Sequence, residues 1–478
     1  MKTKLLLLAS VLSLISAACG VDAQLSSEAS RTPAVFLADE LATATVPIEV
    51  SATPSPVSVE ESATPGVSVD NPVTATVPVE SATPQTDSPV IVGGLDLQQP
   101  SVSTLFEKLL SRIPDSESTR SYVRLTDTLT LFQLVGGEPI PVGASGDVRS
   151  EYWMDRAMNS GGDVRVPSPA WPRALALYGL SINSELYRTL GFDFVSAEQY
   201  VVAGVPPNDF EVAFGQYTPA ATSLALAACD CEQPEIRQHA GVEYYAWGDG
   251  SGSISRRFNM PFYDDVGRGA RLLIRDGEAY YSTKDGIVPE LIDVMQGNAS
   301  SLADVEDYVA AVRWMSALGT FGEMMLRDSH FSIDDVVKIG GFTSSVMTSP
   351  DGSVTFTDYT EEAFRRAAEK GPLLKPFSFV LSGSGFDGGK MFTGLVLAHA
   401  DEASALANRA RLGDRIRVGA TFARVVNDEY KDRPWSELIS RVELVVEGRF
   451  LIARLYAVEL GKTFIQGLAG NTILTIHE

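Results

Sequence analysis

The residues best suited to chemistry are few: three cysteines and four histidines in 478 residues. Two of the cysteines stand together in "CDCEQPEIRQH" (229–239), where Cys229 and Cys231 flank Asp230 and His239 follows. Thiolate and imidazole together form a donor set for copper or zinc. A specific zinc pattern carries a second ligand pair, and the C-x-C here has none, so metal is the last of three readings. The other two are a pair of buried thiols and a disulfide, which an oxidising location favours. A bridge across one intervening residue requires a narrow Cα separation. The four histidines, His239, His330, His399 and His477, lie far apart in the chain, and no H-E-x-x-H occurs.

Nucleophiles and phosphate loops are equally scarce. No serine sits in G-x-S-x-G, so the nucleophile elbow is absent; triads assembled only in the fold stay open. "GSGFDGGK" (383–390) resembles a phosphate loop but fails twice. Ser384 stands six residues before Lys390 where Gly is required, and Met391 follows where Ser or Thr is required. The segment reads instead as a flexible connection. "WGDGSGS" (247–253) reads as a turn, since it lacks the spaced carboxylates of a calcium loop. Adjacent acids at Asp264-Asp265 and Asp334-Asp335 sit at starts of elements, where negative charge is favourable without any catalytic role. No catalytic residue and no cofactor is assigned.

The third cysteine, Cys19, follows a leader. Lys2 and Lys4 precede the apolar run Leu5–Ile15, which is too short for a membrane span of about 20 residues but suits a secretory h-region. Small residues Ser16-Ala17-Ala18 then stand before Cys19. This resembles the lipobox of bacterial lipoproteins, with Ser16 where Leu is usual. The resemblance covers the first 20 residues. It implies removal of residues 1–18 and a lipidated Cys19 (diacylglyceryl, with palmitate-type chains) at the extracytoplasmic face of the cell membrane. Two or three acyl chains anchor stably where one holds only marginally.

Residues 19–100 read as a disordered tether. Arg31 is the sole basic residue between Leu5 and Glu107, and Phe36 the sole aromatic before Phe106. The rest is Thr, Pro, Val, Ser, Ala and Glu in short repeats such as "TATVPIEVSATP" (43–54) and "TATVPVESATP" (74–84). Such a segment buries too little apolar surface to offset its ordering entropy. At about 3.1 Å per residue in polyproline II it reaches roughly 200 Å when fully extended.

Residues 101–478 exceed what one core usually serves, so two domains are expected, 101–325 and 326–478. Hydrophobic content of 45% and 21% charged residues fit a packed globular chain. The net charge of −23 argues against a nucleic-acid partner, because phosphate binding needs a basic surface.

Two stretches follow one plan. In the first, "FEVAFGQY" (210–217) alternates as a strand, Thr218 caps a helix with Pro219 at its first position, and that helix ends near Cys229. The strand "GVEYYAW" (241–247) follows, then a hairpin in "RLLIRDGEAYYS" (271–282) with a type I′ turn at Asp276-Gly277, then a helix at 287–296. The second has a strand at 392–400 and a helix capped by Asp401 with the stripe Ala403, Leu406, Ala407 and Ala410. A strand at 418–426, a hairpin at 442–456, a helix near 462–468 and a closing strand complete it. The order predicts an α+β fold of two open-sandwich, loosely ferredoxin-like repeats with helices on one face. "SLADVEDYVAAVRWMSALGTFGEMML" (301–326), with a capping box at Ser301 and Asp304, reads as a helix joining them. "LFEKLLSRIP" reads as a short amphipathic helix, while "YVRLTDTLTLFQLV" fits strand or helix.

From Ser101 onward the chain is similar to uncharacterised lipid-anchored proteins of the bacterial cell envelope. "LLSRIPDSESTRSYV", "LGFDF", "AGVPPNDFEVAFGQY" and the hairpins carry the likeness. No activity accompanies the resemblance. The expected function is a lipid-anchored surface protein, a non-catalytic binding or interaction module for an envelope protein or polymer. A substrate-binding lipoprotein of a transporter and a secreted hydrolase are the alternatives.

Overall fold

The computed structural model describes residues 90–93, 97–98, 104–134, 189–192, 197–256, 262–264, 266–328, 332–334, 345–348, 354–357, 361–388, 390–418, 435 and 439–457. In chain order these form β1 (Val90–Gly93), α1 (Leu105–Leu110), α2 (Glu117–Ser121), β2 (Val123–Asp127), α3 (Thr128–Leu134), β3 (Gln199–Ala203) and β4 (Phe210–Phe214). Next come α4 (Pro219–Ala228), β5 (Glu235–His239), β6 (Val242–Ala246), β7 (Arg271–Arg275), β8 (Glu278–Ser282), α5 (Ile287–Met295), α6 (Glu306–Leu318) and β9 (Thr320–Arg327). Then follow β10 (Ser345–Thr348), β11 (Val354–Thr357), α7 (Glu361–Ala368), β12 (Phe379–Asp387), β13 (Lys390–Ala398), α8 (Glu402–Val418), β14 (Ile439–Glu447) and β15 (Phe450–Ala457).

Thirteen of these strands form one sheet in the order β1-β14-β15-β13-β12-β9-β2-β3-β4-β8-β7-β6-β5, and β10 and β11 pair separately. All neighbours in it are antiparallel except β1 and β14. The protein is thus α+β, built on a large antiparallel sheet. The boundary expected between residues 325 and 326 falls inside β9, which pairs with β2 on one side and β12 on the other. Residues Val90–Gly93, expected to belong to the tether, are instead a strand: "VIVG" adds β1 to the sheet. Its β-branched run is a strand signal at the end of a proline-rich segment.

Helices cover both faces, where the sequence led us to expect one. Along β13, Val396 and Ala398 enter one core while Leu395 and Leu397 enter another. The first core runs across both halves of the sheet under α1, α5, a 3-10 turn at Leu302–Asp304 and α6. The opposite face carries two separate cores, one with Leu226 of α4 and one with Leu412 and Ile416 of α8. This explains why β4 and β13 are buried on both sides rather than in alternation. A strand covered on both faces reads as a continuous apolar run.

Thr218 accepts from the Ala221 amide and Pro219 follows, so α4 starts where its sequence signals predict. The segment 122–135 is neither strand nor helix throughout but β2 followed by α3. The Asp127 carboxylate receives the Thr130 amide at 3.2 Å and its hydroxyl at 2.5 Å, which turns the chain into the helix. The expected bridging helix is shorter than 301–326. The Ser301–Asp304 capping box closes the 3-10 turn, α6 ends at Leu318, and "TFGEMMLR" is β9. On α8 the expected stripe faces outward: Ala403, Leu406 and Ala410 are exposed, whereas Ala405, Asn408, Leu412, Arg415 and Ile416 are buried. Two of those buried residues are polar, which hides the face from a hydrophobicity count.

"GSGFDGGK" is a hairpin rather than a flexible connection, with β12 and β13 paired from Phe379↔Ala398 to Asp387↔Lys390. Its glycines make room for rings. A Cβ at Gly385 would stand 2.5 Å from Phe392 Cζ and 2.8 Å from Phe321 Cε1, and one at Gly394 would stand 2.6 Å from Met315 Sδ. Phe321 and Phe392 meet edge to face at 5.5 Å.

Candidate interaction edge

The cysteines sit where the sheet ends. Cys229 is the C-cap of α4, its amide donating to the Ala225 carbonyl. A disulfide joins it to Cys231, with the Cα atoms 5.2 Å apart. Gln233 Nε2 donates to the Leu226 carbonyl at 3.0 Å and lies 3.9 Å from each sulfur, so its side chain fastens the chain reversal to the helix end. Trp247 Nε1 donates to the Glu232 carbonyl at 2.9 Å, and the Tyr263 hydroxyl donates to the Glu232 carboxylate at 2.6 Å. Burial, followed by that hydrogen bond to Glu232, pushes the Tyr263 hydroxyl up to about 12. Chain reversal and neighbouring core are thereby one unit.

The segment after this reversal is β5, which the sequence reading missed. Among the described residues β5 is the last strand of the sheet, paired only with β6. The hairpin is closed by Ala240 and Gly241, whose φ values of 47° and 82° are both positive. That is the geometry of a type I′ turn. Ala is uncommon at such a φ, so the turn carries no sequence signal. At Asp276-Gly277, where I′ was expected, Gly277 has φ 81° but Asp276 is not among the positive-φ residues, so that two-residue loop has a different geometry.

One side of β5 is tied down by charge. Arg237 donates to Glu235 at 2.9 Å and to Asp285 at 3.1 Å, and its pKa is raised, first by the Glu235 hydrogen bond. Asp285 also receives Arg271 Nε at 2.5 Å. Burial would raise the Asp285 carboxyl, but the two guanidinium groups outweigh it and hold it below its ordinary value. Arg271, 1% exposed, donates as well to the carbonyls of Trp247, Gly269 and Ala270. His239 Nε2 lies 2.9 Å from Asp293 Oδ1 of α5. His239 is therefore engaged at the far end of β5. Among the described residues no group of three or more His, Cys, Asp or Glu is arranged to hold a metal.

The other side of β5 is open. Ile236 faces Tyr245 across the hairpin and is 63% exposed. The Tyr245 hydroxyl is 3.0 Å from Ser223 Oγ of α4, and the next residue, Leu224, is 73% exposed. Leu224 lies on the solvent side of α4, opposite the buried Thr222 and Leu226, so Ile236 is the exposed large apolar side chain of the strand edge itself.

Elsewhere, charged side chains hold structure together. A shallow recess is lined by Asp209, Glu211, Asp264, Arg268 and Tyr281. Its Asp264 receives Arg268 Nε at 2.6 Å and the amides of Val266 and Arg268, so this acid organises a loop. Asp334 pairs with Arg365 at 2.8 Å. Glu443, 2% exposed, receives Arg441 and Arg454, and Arg454 lies 5.2 Å over the Phe392 ring. His399 is fully buried between Arg449 and Asn408. Cys19, His330 and His477 lie outside the described residues, as do the strand expected at 418–426 beyond Val418, the helix near 462–468 and the closing strand.

No family model matches the chain, and no curated protein matches it. Among solved structures it is similar to TP0453 in crystal form I, at 10% identity and a TM-score of 0.30, over 79% of this chain and 99% of that one. Against crystal form IV of TP0453 the identity is 10% and the TM-score 0.31, over 75% of this chain and 94% of that one. Likeness at this level carries no argument about function.

Proposed function

We propose that this is a lipid-anchored protein of the extracytoplasmic membrane face whose folded part is a non-catalytic interaction module. The observation that carries the reading is Cys19, placed directly after Lys2, Lys4, the apolar run Leu5–Ile15 and three small residues. The repeats before Val90, nearly free of aromatic and basic residues, supply a tether with reach. The partner class is a protein or polymer of the cell envelope, met at a surface. Support for a surface rather than a catalytic cleft comes from the carboxylates described above, which anchor loops and strands through fixed guanidinium or hydroxyl partners.

We further infer that the folded part is a duplicated open-sandwich unit, loosely ferredoxin-like. Support comes from strand order. The hairpin β3-β4, helix α4 and hairpin β7-β8 lie in the sheet as β3-β4-β8-β7. The hairpin β12-β13, helix α8 and hairpin β14-β15 lie as β12-β13-β15-β14, the same order.

The test is Cys19→Ala in cells fed labelled palmitate. The label should be lost, and the protein should leave the membrane fraction or remain as precursor. A mature-length variant that still partitions with membranes would overturn the lipid anchor.

A further inference from the structure

We propose that the β5 edge is a self-association surface, and that a second copy of this chain adds to it antiparallel about a two-fold axis through Ile236. In a two-residue hairpin the residues flanking the loop exchange hydrogen bonds, and such pairs alternate along an antiparallel ladder. With Ala240-Gly241 as the loop, His239, Arg237 and Glu235 direct their backbone groups to β6. Ile236 and Gln238 direct theirs away from the sheet, where among the described residues no strand meets them.

Natural sheet edges are guarded by bulges or by charges that point into the approach path. This one carries an outward-facing Ile236 that is 63% exposed. The sequence also selects the partner. Placing Ile236 opposite its own copy sets Glu235 against Arg237 of the second chain and Arg237 against Glu235, two opposite-charge cross-strand pairs. The two Ile236 residues exchange both backbone bonds, and each Gln238 amide donates to the Pro234 carbonyl of the other chain. Pro234, which has no amide hydrogen, ends the ladder there. Moving the two-fold axis to Arg237, a relative slide of two residues, puts Arg237 against Arg237, so charge fixes the register. With the axis at Ile236, the two Ile236 side chains cover one another across it. Five paired residues form a small interface, so the association is weak and reversible in solution. Because interfaces with two-fold symmetry use the same patch twice, the assembly closes at a dimer.

The full chain should sediment as a concentration-dependent monomer–dimer mixture, and Ile236→Lys, at an exposed site that leaves the core untouched, should sediment as monomer. In a Cys19→Ser background, Ile236→Cys should form a reducible dimer on mild oxidation, because directly opposed residues bring their Cα atoms to about 5.5 Å. Gln238→Cys should not, since each Gln238 faces Pro234 of the other chain. A monomer at every soluble concentration would overturn the proposal, as would a dimer that survives Ile236→Lys. Crosslinking at Gln238→Cys but not at Ile236→Cys would overturn the register.

Discussion

Arg124 grips Glu323 at the seam between the two halves of the sheet, Nε 2.7 Å from Oε1 and NH2 2.9 Å from Oε2. Arg124 belongs to β2 and Glu323 to β9, which pair antiparallel there. Both side chains are largely buried, at 18% and 12% exposure; NH2 donates the hydrogen bond, and Nε adds a close ion-pair approach, so the pair is charge-assisted. Removing one partner strands a charge in a place it cannot be hydrated. Glu323→Gln should therefore cost about 3 kcal/mol, read as a lower urea midpoint at constant slope. Arg124→Met with Glu323→Leu should recover most of that loss. Equal loss in the double variant would mean the pair contributes net attraction beyond avoiding a stranded charge.

Two glycines in one hairpin are required for different reasons, and alanine separates them. At Gly385 a Cβ meets Phe392 and Phe321 rings packed on both sides. Gly385→Ala should cost about 1–3 kcal/mol through overpacking. At Gly388, φ is 66° and nothing stands within 4 Å of a Cβ, so Gly388→Ala bears only the left-handed backbone cost of about 1 kcal/mol. Chemical denaturation of the two variants should rank them in that order. If they are equal, the rings have room to shift.

These contrasts show what could be read without coordinates. Thr218-Pro219, Asp401 and the hairpins around residues 276 and 448 are local signals, and each element formed where its signal stands, because caps and turns depend on neighbours a few residues away. What escaped depends on distant partners. The buried face of α8 contains Asn408 and Arg415, since Asn408 binds the Lys375 backbone and Arg415 reaches the Ala368 carbonyl. "TFGEMMLR" is a strand because β2 and β12 lie on either side of it. β5 lacks an alternating pattern, because its inner side is held by the Arg237–Asp285 ion pair and the His239–Asp293 contact rather than by apolar packing. The candidate edge was visible in the sequence only as its cysteines.

His399 should make stability depend on pH below neutrality. Its Nδ1 faces the Arg449 carbonyl at 3.1 Å, so Nδ1 carries the hydrogen. Nε2 then accepts from Asn408 Nδ2 at 2.8 Å, an amide oriented by the Lys375 amide on its Oδ1. Protonation would set one donor against another, and burial first of all lowers the ring's pKa below 6.5. The unfolded chain therefore binds a proton before the folded one does. The stabilisation is complete above about pH 6.5 and declines as pH falls from there through the lower folded value. Unfolding free energies across that range should slope in the wild type and flatten in His399→Phe. An unchanged slope would assign it to other groups.

The Cys229–Cys231 bridge should matter little to global stability. Its Cα atoms are 5.2 Å apart across a single intervening residue. The loop it closes is so short that chain entropy gives it only about 1–2 kcal/mol, less than a long-range bridge. Gln233 and Trp247 hold the same chain reversal through the carbonyls of Leu226 and Glu232, so the reversal keeps two fasteners without the sulfurs. Cys229→Ser with Cys231→Ser should remain folded, with a melting temperature lowered by a few degrees. Thiol counting on the denatured, unreduced protein in a Cys19→Ser background should find none free. Two free thiols would exclude the bridge, and stoichiometric zinc or copper in the purified protein would make the thiolates ligands instead.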